Sequence, residues 1–288
     1  MRARAELAVE GPGGPAGSRI ARLRSDGPLL LRPAIATGPE PFRRWGLAGP
    51  GTVRVARVAG TGGPLGGDDL RLHVDVGAGA ALVLRDVSAT VAQPGPHGEP
   101  CRIRTTVQVG QDATLTWLPE PVIAARGCDH HVTTYIDLMP GARLLLREEL
   151  LLGRHGETPG ACRQRLRVCR SGRAEYDQEL ILGPDAPGWQ GPVVTGGRRA
   201  LGSLLVVDPY WESNPEALPA ATSRPDTALL PLSASTVLFT ALAEDALDLR
   251  RRLDAGLTEL EEGAGPGELE EAGPGELEEE ASRAAVRS

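Results

Sequence analysis

Val76-Gly77-Ala78-Gly79-Ala80-Ala81-Leu82, Val109-Gly110-Gln111-Asp112-Ala113-Thr114-Leu115 and Leu138-Met139-Pro140-Gly141-Ala142-Arg143-Leu144 can be laid over one another without a gap. Each reads as the end of a strand, a tight turn, and an Ala-x-Leu that opens the next strand. The alanines fall at 80, 113 and 142, spacings of 33 and 29 residues. Units of that length, each strand–turn–strand, argue for strands stacked in layers, because one such unit cannot bury its apolar face alone.

The segments around these turns alternate apolar and polar residues with the two-residue period of a strand. Val53-Arg54-Val55-Ala56-Arg57-Val58, Leu70 to Val76, Ile103 to Val109 and Val132 to Leu138 all do so. Ser171-Gly172 reads as a hairpin turn between a strand from Cys162 to Arg170 and another from Arg173 to Leu182. One helix is predicted, over about 235–255. Its apolar stripe is Leu238, Leu242, Ala246, Leu249 and Leu253, with Ser235 as N-cap, Arg250-Arg251-Arg252 near its end and Gly256 as its stop. The fold class is therefore mainly β: layered, stacked sheets of strand–turn–strand units, with one or two short helices near the C-terminus. From Glu259 the chain becomes an acidic low-complexity tail with two near-copies of Gly-Pro-Gly-Glu-Leu-Glu-Glu. Such a tail is expected to be disordered. The domain plan is a β-rich body, 1–258, and a tail, 259–288.

Charge reads differently once the tail is set apart. The whole chain of 288 residues carries a formal −7, but residues from Glu259 onward account for −8, leaving the body at +1. A near-neutral body has no nucleic-acid footprint. All 31 cationic side chains are arginine, so a GxxxxGK[ST] phosphate loop, a Schiff-base lysine and a Ser–Lys pair are excluded. Nine aromatic residues offer few stacking platforms. No apolar run approaches the length of a membrane span, and Glu6 and Glu10 stand where a secretory signal would be apolar. A cytoplasmic location is expected, with four cysteines reduced rather than forming a disulfide framework.

Catalytic signatures such as GxSxG, HExxH and CxxC are absent. Gly60 to Gly67 is glycine-rich but precedes a strand, so it lacks the helix N-terminus of a phosphate cradle. Cys128-Asp129-His130-His131 is the densest group of metal-ligand types. On a strand, only His130 with Cys128, or His131 with Asp129, can share a face. Among carboxylates, Asp68-Asp69 follows the glycine-rich loop and Glu148-Glu149 interrupts an apolar run. Glu175, Asp177 and Glu179 alternate along one strand, opposite Arg163, Arg165 and Arg167 across the hairpin.

Several of these segments together resemble the UreD (UreH) family of urease accessory proteins. Gly66 to Ala80 is similar to that family's N-terminal signature, and Leu115-Thr116-Trp117-Leu118-Pro119-Glu120-Pro121-Val122-Ile123 to its Trp-Leu-Pro-Gln/Glu segment. Glu148 to Glu157 is similar to its Gly-Arg-x-x-x-Gly-Glu segment, and the arginine-rich strand with its Ser171-Gly172 turn follows in the expected order. The similarity spans roughly Leu7 to Leu253. Leu84 to Val91 departs from the family pattern, keeping Ser88 and little else, and the acidic tail has no family counterpart.

The resemblance implies a non-enzymatic chaperone that assembles with the helical partner UreF and the GTPase UreG on apo-urease, so that nickel enters the urease active site. It implies no membrane partner and no tightly bound cofactor, only transient Ni²⁺ in a polar interior passage. Relay favours weak oxygen ligands over a tight His/Cys site, which points to Asp68, Glu148, Glu175 and Glu179 rather than Cys128 and His130. An assembly scaffold that never touches metal, or a β-fold hydrolase with a site assembled from distant residues, are the alternatives.

Overall fold

The computed structural model describes residues 1–11, 17–36 and 38–262. In chain order its strands are β1 (Arg2–Glu10), β2 (Arg19–Arg24), β3 (Leu29–Pro33), β4 (Val53–Ala59), β5 (Asp69–Val76) and β6 (Ala81–Asp86). Then come β7 (Thr90–Ala92), β8 (Cys101–Val109), β9 (Thr114–Leu118), β10 (Val122–Ala124), β11 (Asp129–Leu138) and β12 (Arg143–Leu151). The last third holds β13 (Ala161–Arg170), β14 (Arg173–Leu182), β15 (Ala200–Val207), α1 (Tyr210–Ser213), β16 (Thr222–Arg224), β17 (Thr227–Pro231), β18 (Thr236–Ala243) and α2 (Ala246–Glu262).

These strands make two stacked sheets. The first runs β14-β13-β11-β8-β5-β1-β2 and the second β16-β17-β18-β15-β12-β9-β6-β4-β3, with β7 and β10 paired alongside β12. The repeat explains the layering. β5, β8 and β11 lie parallel in the first sheet, each turn crosses over, and β6, β9 and β12 lie parallel in the second. The turns themselves stack. Gly110 N donates to Val76 O at 2.7 Å and Met139 N to Val109 O at 2.9 Å. Gly79 N donates to Gln111 O at 2.8 Å and Asp112 N to Pro140 O at 3.1 Å. The third residue of each turn is left-handed: Gly79 at φ +66°, Asp112 at +55° and Gly141 at +73°. Glycine and aspartate are the residue types that tolerate this backbone. The repeated alanines follow directly, each at most 1 % exposed, where a larger side chain would separate the layers.

Beside the turns the sheets enclose a dense aliphatic core, with Val74, Leu82, Val107, Leu115, Ile136 and Leu144 all fully buried. A second core lies on the other face of the second sheet, where Leu249, Leu253 and Leu260 of α2 pack on Leu145, Leu204, Val206 and Phe239.

Two sequence expectations are corrected here. The helix begins at Ala246, and Leu238 and Leu242 belong to β18, which is a strand buried on both faces. A strand covered by the first sheet on one side and by α2 on the other loses its alternation and reads as a continuous apolar run. The cap is Asp245, whose Oδ1 accepts from Asp248 N at 2.9 Å, and not Ser235. Gly256 lies inside the helix, where an added Cβ would sit 2.5 Å from the Phe239 ring, so it serves close packing and does not end the helix. The boundary expected at 258/259 falls within α2, since Glu259 pairs with Arg224 at 2.9 Å and Glu261 accepts from Phe42 N. The expected disorder of the remaining tail concerns residues outside those described. Ser171-Gly172 does form the hairpin turn, both residues at positive φ, and all four cysteines are free.

Gly110 tests the turn stack. A Cβ there would meet Ala78 N at 2.7 Å and Gly77 C at 2.9 Å, both backbone atoms of the neighbouring turn. Gly110→Ala is expected to destabilise by about 2 kcal/mol or more through forced separation of the layers. Gly98→Ala, at positive φ but with nothing within 4 Å, should cost only the backbone term, about 1 kcal/mol. Chemical denaturation of the two variants checks the difference.

Candidate functional site

Away from the turns the space between the sheets widens into a cavity of about 120 Å³. Ile103, Thr105, His130, Thr134, Cys162 and Gln164 line it from the first sheet, and Trp117, Leu146 and Glu148 from the second. Arg57, Asp86, Ser88 and Glu120 also line it. A second cavity of about 420 Å³ is lined by Gln178, Ser203, Asp226 and Thr240. Glu148, Glu149 and Gln164 line both.

The two adjacent glutamates have opposite surroundings because they alternate along β12. Glu149 faces the α2 side, with its side chain wholly buried. Arg147 Nε lies 2.9 Å from its Oε1 and Arg250 reaches the same oxygen at 2.8 Å, while Glu120 pairs with Arg250 at 3.0 Å. Burial raises the Glu149 pKa, and the two guanidiniums work against that rise. Glu148 shares the inward face with Leu146 and Leu150. It is half-buried, lines the cavity, and among the described residues makes no ion pair. Burial pushes its pKa up to about 7, with Gln164 acting in the opposite direction.

Across the cavity, His130 is fully buried, and neither ring nitrogen has a hydrogen-bond partner among the described residues. Burial lowers its pKa to about 4, so the ring is neutral at physiological pH. Trp117 Nε1 is likewise buried without a partner. Unpaired polar groups on the wall of a cavity mark a space suited to water or another polar occupant.

Comparison with known proteins supplies the family. The profile of the family described as UreD urease accessory protein matches residues 1–268. The chain belongs to the UreD family. It is 45% identical over 281 residues to the urease accessory protein UreD of Frankia alni, covering 88% of this chain and 92% of that one. It is 44% identical over 261 residues to UreD of Streptomyces avermitilis, covering 90% and 98%, and 34% identical over 255 residues to UreD 1 of Saccharopolyspora erythraea, covering 88% and 92%. These relatives are named as accessory proteins and not as enzymes. The UreD-like segments meet at the cavity: Leu70 comes from the first, Trp117, Pro119, Glu120 and Val122 from the second, and Glu148 from the third. The stretch that departs from the family pattern contributes Asp86, Ser88 and Thr90 to the lining.

The four carboxylates singled out from sequence are not brought together. Asp68 is buried, holds the Met1 ammonium at 2.6 Å and accepts from Leu65 N at 2.9 Å. Glu175 pairs with Arg170 at 3.3 Å and accepts from Ser233 and Thr236 hydroxyls at 3.0 and 3.2 Å, tying the β13–β14 hairpin to the start of β18. Glu179 is exposed and lies 3.8 Å from Arg163. Asp177 pairs with Arg165 and Arg167 as the hairpin register predicts. Only Glu148 lines the cavities. Asp129 and His131 do share a face, at 2.9 Å, with His130 and Cys128 turned inward. Among the described residues, no three His, Cys, Asp or Glu side chains are gathered closely enough to hold an ion, and no helix is long and apolar enough to cross a membrane. Sequence reasoning missed Gln164 and Arg147, and named Arg250 only for the basic end of the predicted helix. Gln164 carried a usable signal, since it lies two residues from Cys162 on the same strand face.

Two variants test this electrostatic account. A carboxyl whose folded pKa is raised stabilises fully below its unfolded value and loses that advantage as pH rises through the folded one. Wild-type stability should therefore fall between about pH 4.5 and pH 7 through Glu148. Glu148→Gln should remove that fall, gaining about 1–3 kcal/mol over wild type at pH 8 and nothing at pH 4, as read by melting temperature across pH. Arg250→Ala should destabilise by about 1–3 kcal/mol, less than full loss of a buried pair because Arg147 stays beside Glu149. Thermal unfolding at neutral pH checks it.

Proposed function

We propose that this chain acts with UreF and UreG on apo-urease in the cytoplasm, and that its two adjoining pockets give Ni²⁺ a route toward the urease active site. One observation carries the reading. Glu148 is a carboxylate without an arginine partner among the described residues, where two adjoining pockets share lining residues, in a member of a urease accessory family. Nearly every other buried or half-buried carboxylate is neutralised by a guanidinium, which leaves Glu148 as the oxygen ligand free to meet a cation. Oxygen donors hold Ni²⁺ weakly enough to release it, and the polar walls supplied by Gln164, Thr105 and Thr134 offer more of the same. Partial protonation of Glu148 near neutral pH would ease release further.

The scaffold reading, in which the chain only assembles partners, makes the opposite prediction for Glu148. Glu148→Gln keeps shape and hydrogen bonding and removes only charge. In cells lacking the native chain, this variant should pull down UreF and UreG as wild type does and lower urease activation several-fold. Glu179→Gln, which alters an exposed pair worth about 0–1 kcal/mol, should activate normally. Full activation by Glu148→Gln would reject the passage and favour the scaffold.

A further inference from the structure

We infer that His130 and Cys162, both buried at the cavity wall, form a soft metal-binding pair for a divalent transition-metal ion. The inference rests on the passage reading for the identity of that metal, nickel.

The placement comes from register. β11 lies parallel to β8 on one side and β13 on the other, so His130 is directly opposite Cys101 and Cys162. Neighbouring strands lie about 4.8 Å apart, and paired residues point to the same face. An imidazole nitrogen at about 2.0 Å and a thiolate at about 2.3 Å can therefore meet one ion between two adjacent strands. Of the four cysteines only Cys162 lines the cavity; Cys101 and Cys128 are buried outside its lining.

The second observation is the histidine itself. A neutral imidazole carries one donor and one acceptor. At His130 both are buried and unpartnered among the described residues, an unfavourable arrangement unless something at the cavity wall binds there. A free lone pair on a ring that stays neutral, beside a thiol, is a donor set for a borderline metal ion. Only two residues converge, so the other coordination positions remain for water. Such a site captures an ion without trapping it. As the metal–sulfur bond forms, the Cys162 thiol releases its proton to solvent.

The test uses the full-length chain with Ni²⁺ alone. Nickel-edge X-ray absorption of the wild type should show one sulfur and at least one imidazole nitrogen, accompanied by a near-ultraviolet thiolate-to-nickel band. Cys162→Ser should abolish both signals, and His130→Gln should weaken Ni²⁺ binding by about tenfold or more. Cys101→Ser and Cys128→Ser should leave them intact. A nickel shell of oxygen and nitrogen only, or a band that survives Cys162→Ser, overturns the inference, and because the first of these is read on the wild type, it holds even if a variant misfolds. Urease activation separates the two readings. Sulfur ligation with full activation by Glu148→Gln keeps the site and rejects the passage, whereas impaired activation without sulfur ligation overturns the site and keeps the passage.

Discussion

The close stacking of three glycine- and alanine-rich turns governs the rest of this molecule. Because each turn donates backbone hydrogen bonds to its neighbour, the strands that enter and leave it cannot slip in register. A slip of one residue would send every inward side chain outward. The same stack holds the two sheets close at one end, where leucine and valine fill the space between them. The sheets must diverge with their twist, and at the other end the filling gives way to His130, Gln164 and Glu148 around a cavity. The tightness of one end and the openness of the other belong to one construction.

An arginine-only set of cations shapes the electrostatics. The guanidinium fork satisfies a carboxylate through two donors, and it suits partly buried pairs better than an ammonium does. Asp208 illustrates the pattern: it is fully buried, and accepts from Arg44 at 2.7 Å and from Trp45 Nε1 at 2.7 Å. Glu40 does the same between Arg54 and Arg85, and Glu149 between Arg147 and Arg250. Against that background an unpaired Glu148 is a departure, and departures from local satisfaction are where function is expected.

The β12 pair shows how one strand can serve two purposes. Glu149 looks toward α2 and fastens the helix to the second sheet through Arg250. Glu148, its neighbour in sequence, looks into the space between the sheets. The helix thus closes the outer core and holds the strand that presents the cavity carboxylate. The chain's UreD-like segments, far apart in sequence, converge there because parallel stacking brings equivalent positions of successive units side by side.

What the sequence by itself determined were the features with a local physical cause. Period-two alternation specified the strands, Gly and Asp at left-handed positions specified the repeated turns, and Ser171-Gly172 specified the hairpin, each through backbone sterics that no distant contact alters. The opposite faces of Asp129 and His130, and the pairing of Asp177 with Arg165, followed from the same alternation. Only the tertiary structure decided which covered strand was not a helix. β18 is sandwiched on both faces, so its apolar spacing carries no period that distinguishes it. Tertiary structure also decided which acidic residues were occupied, because Met1, Arg170 and Ser233 reach Asp68 and Glu175 from other parts of the chain. Glu148 and Glu149 are indistinguishable as a dipeptide. Their difference lies in Arg147 and Arg250, which hold Glu149 and not Glu148, and that arrangement does not exist until the chain has folded.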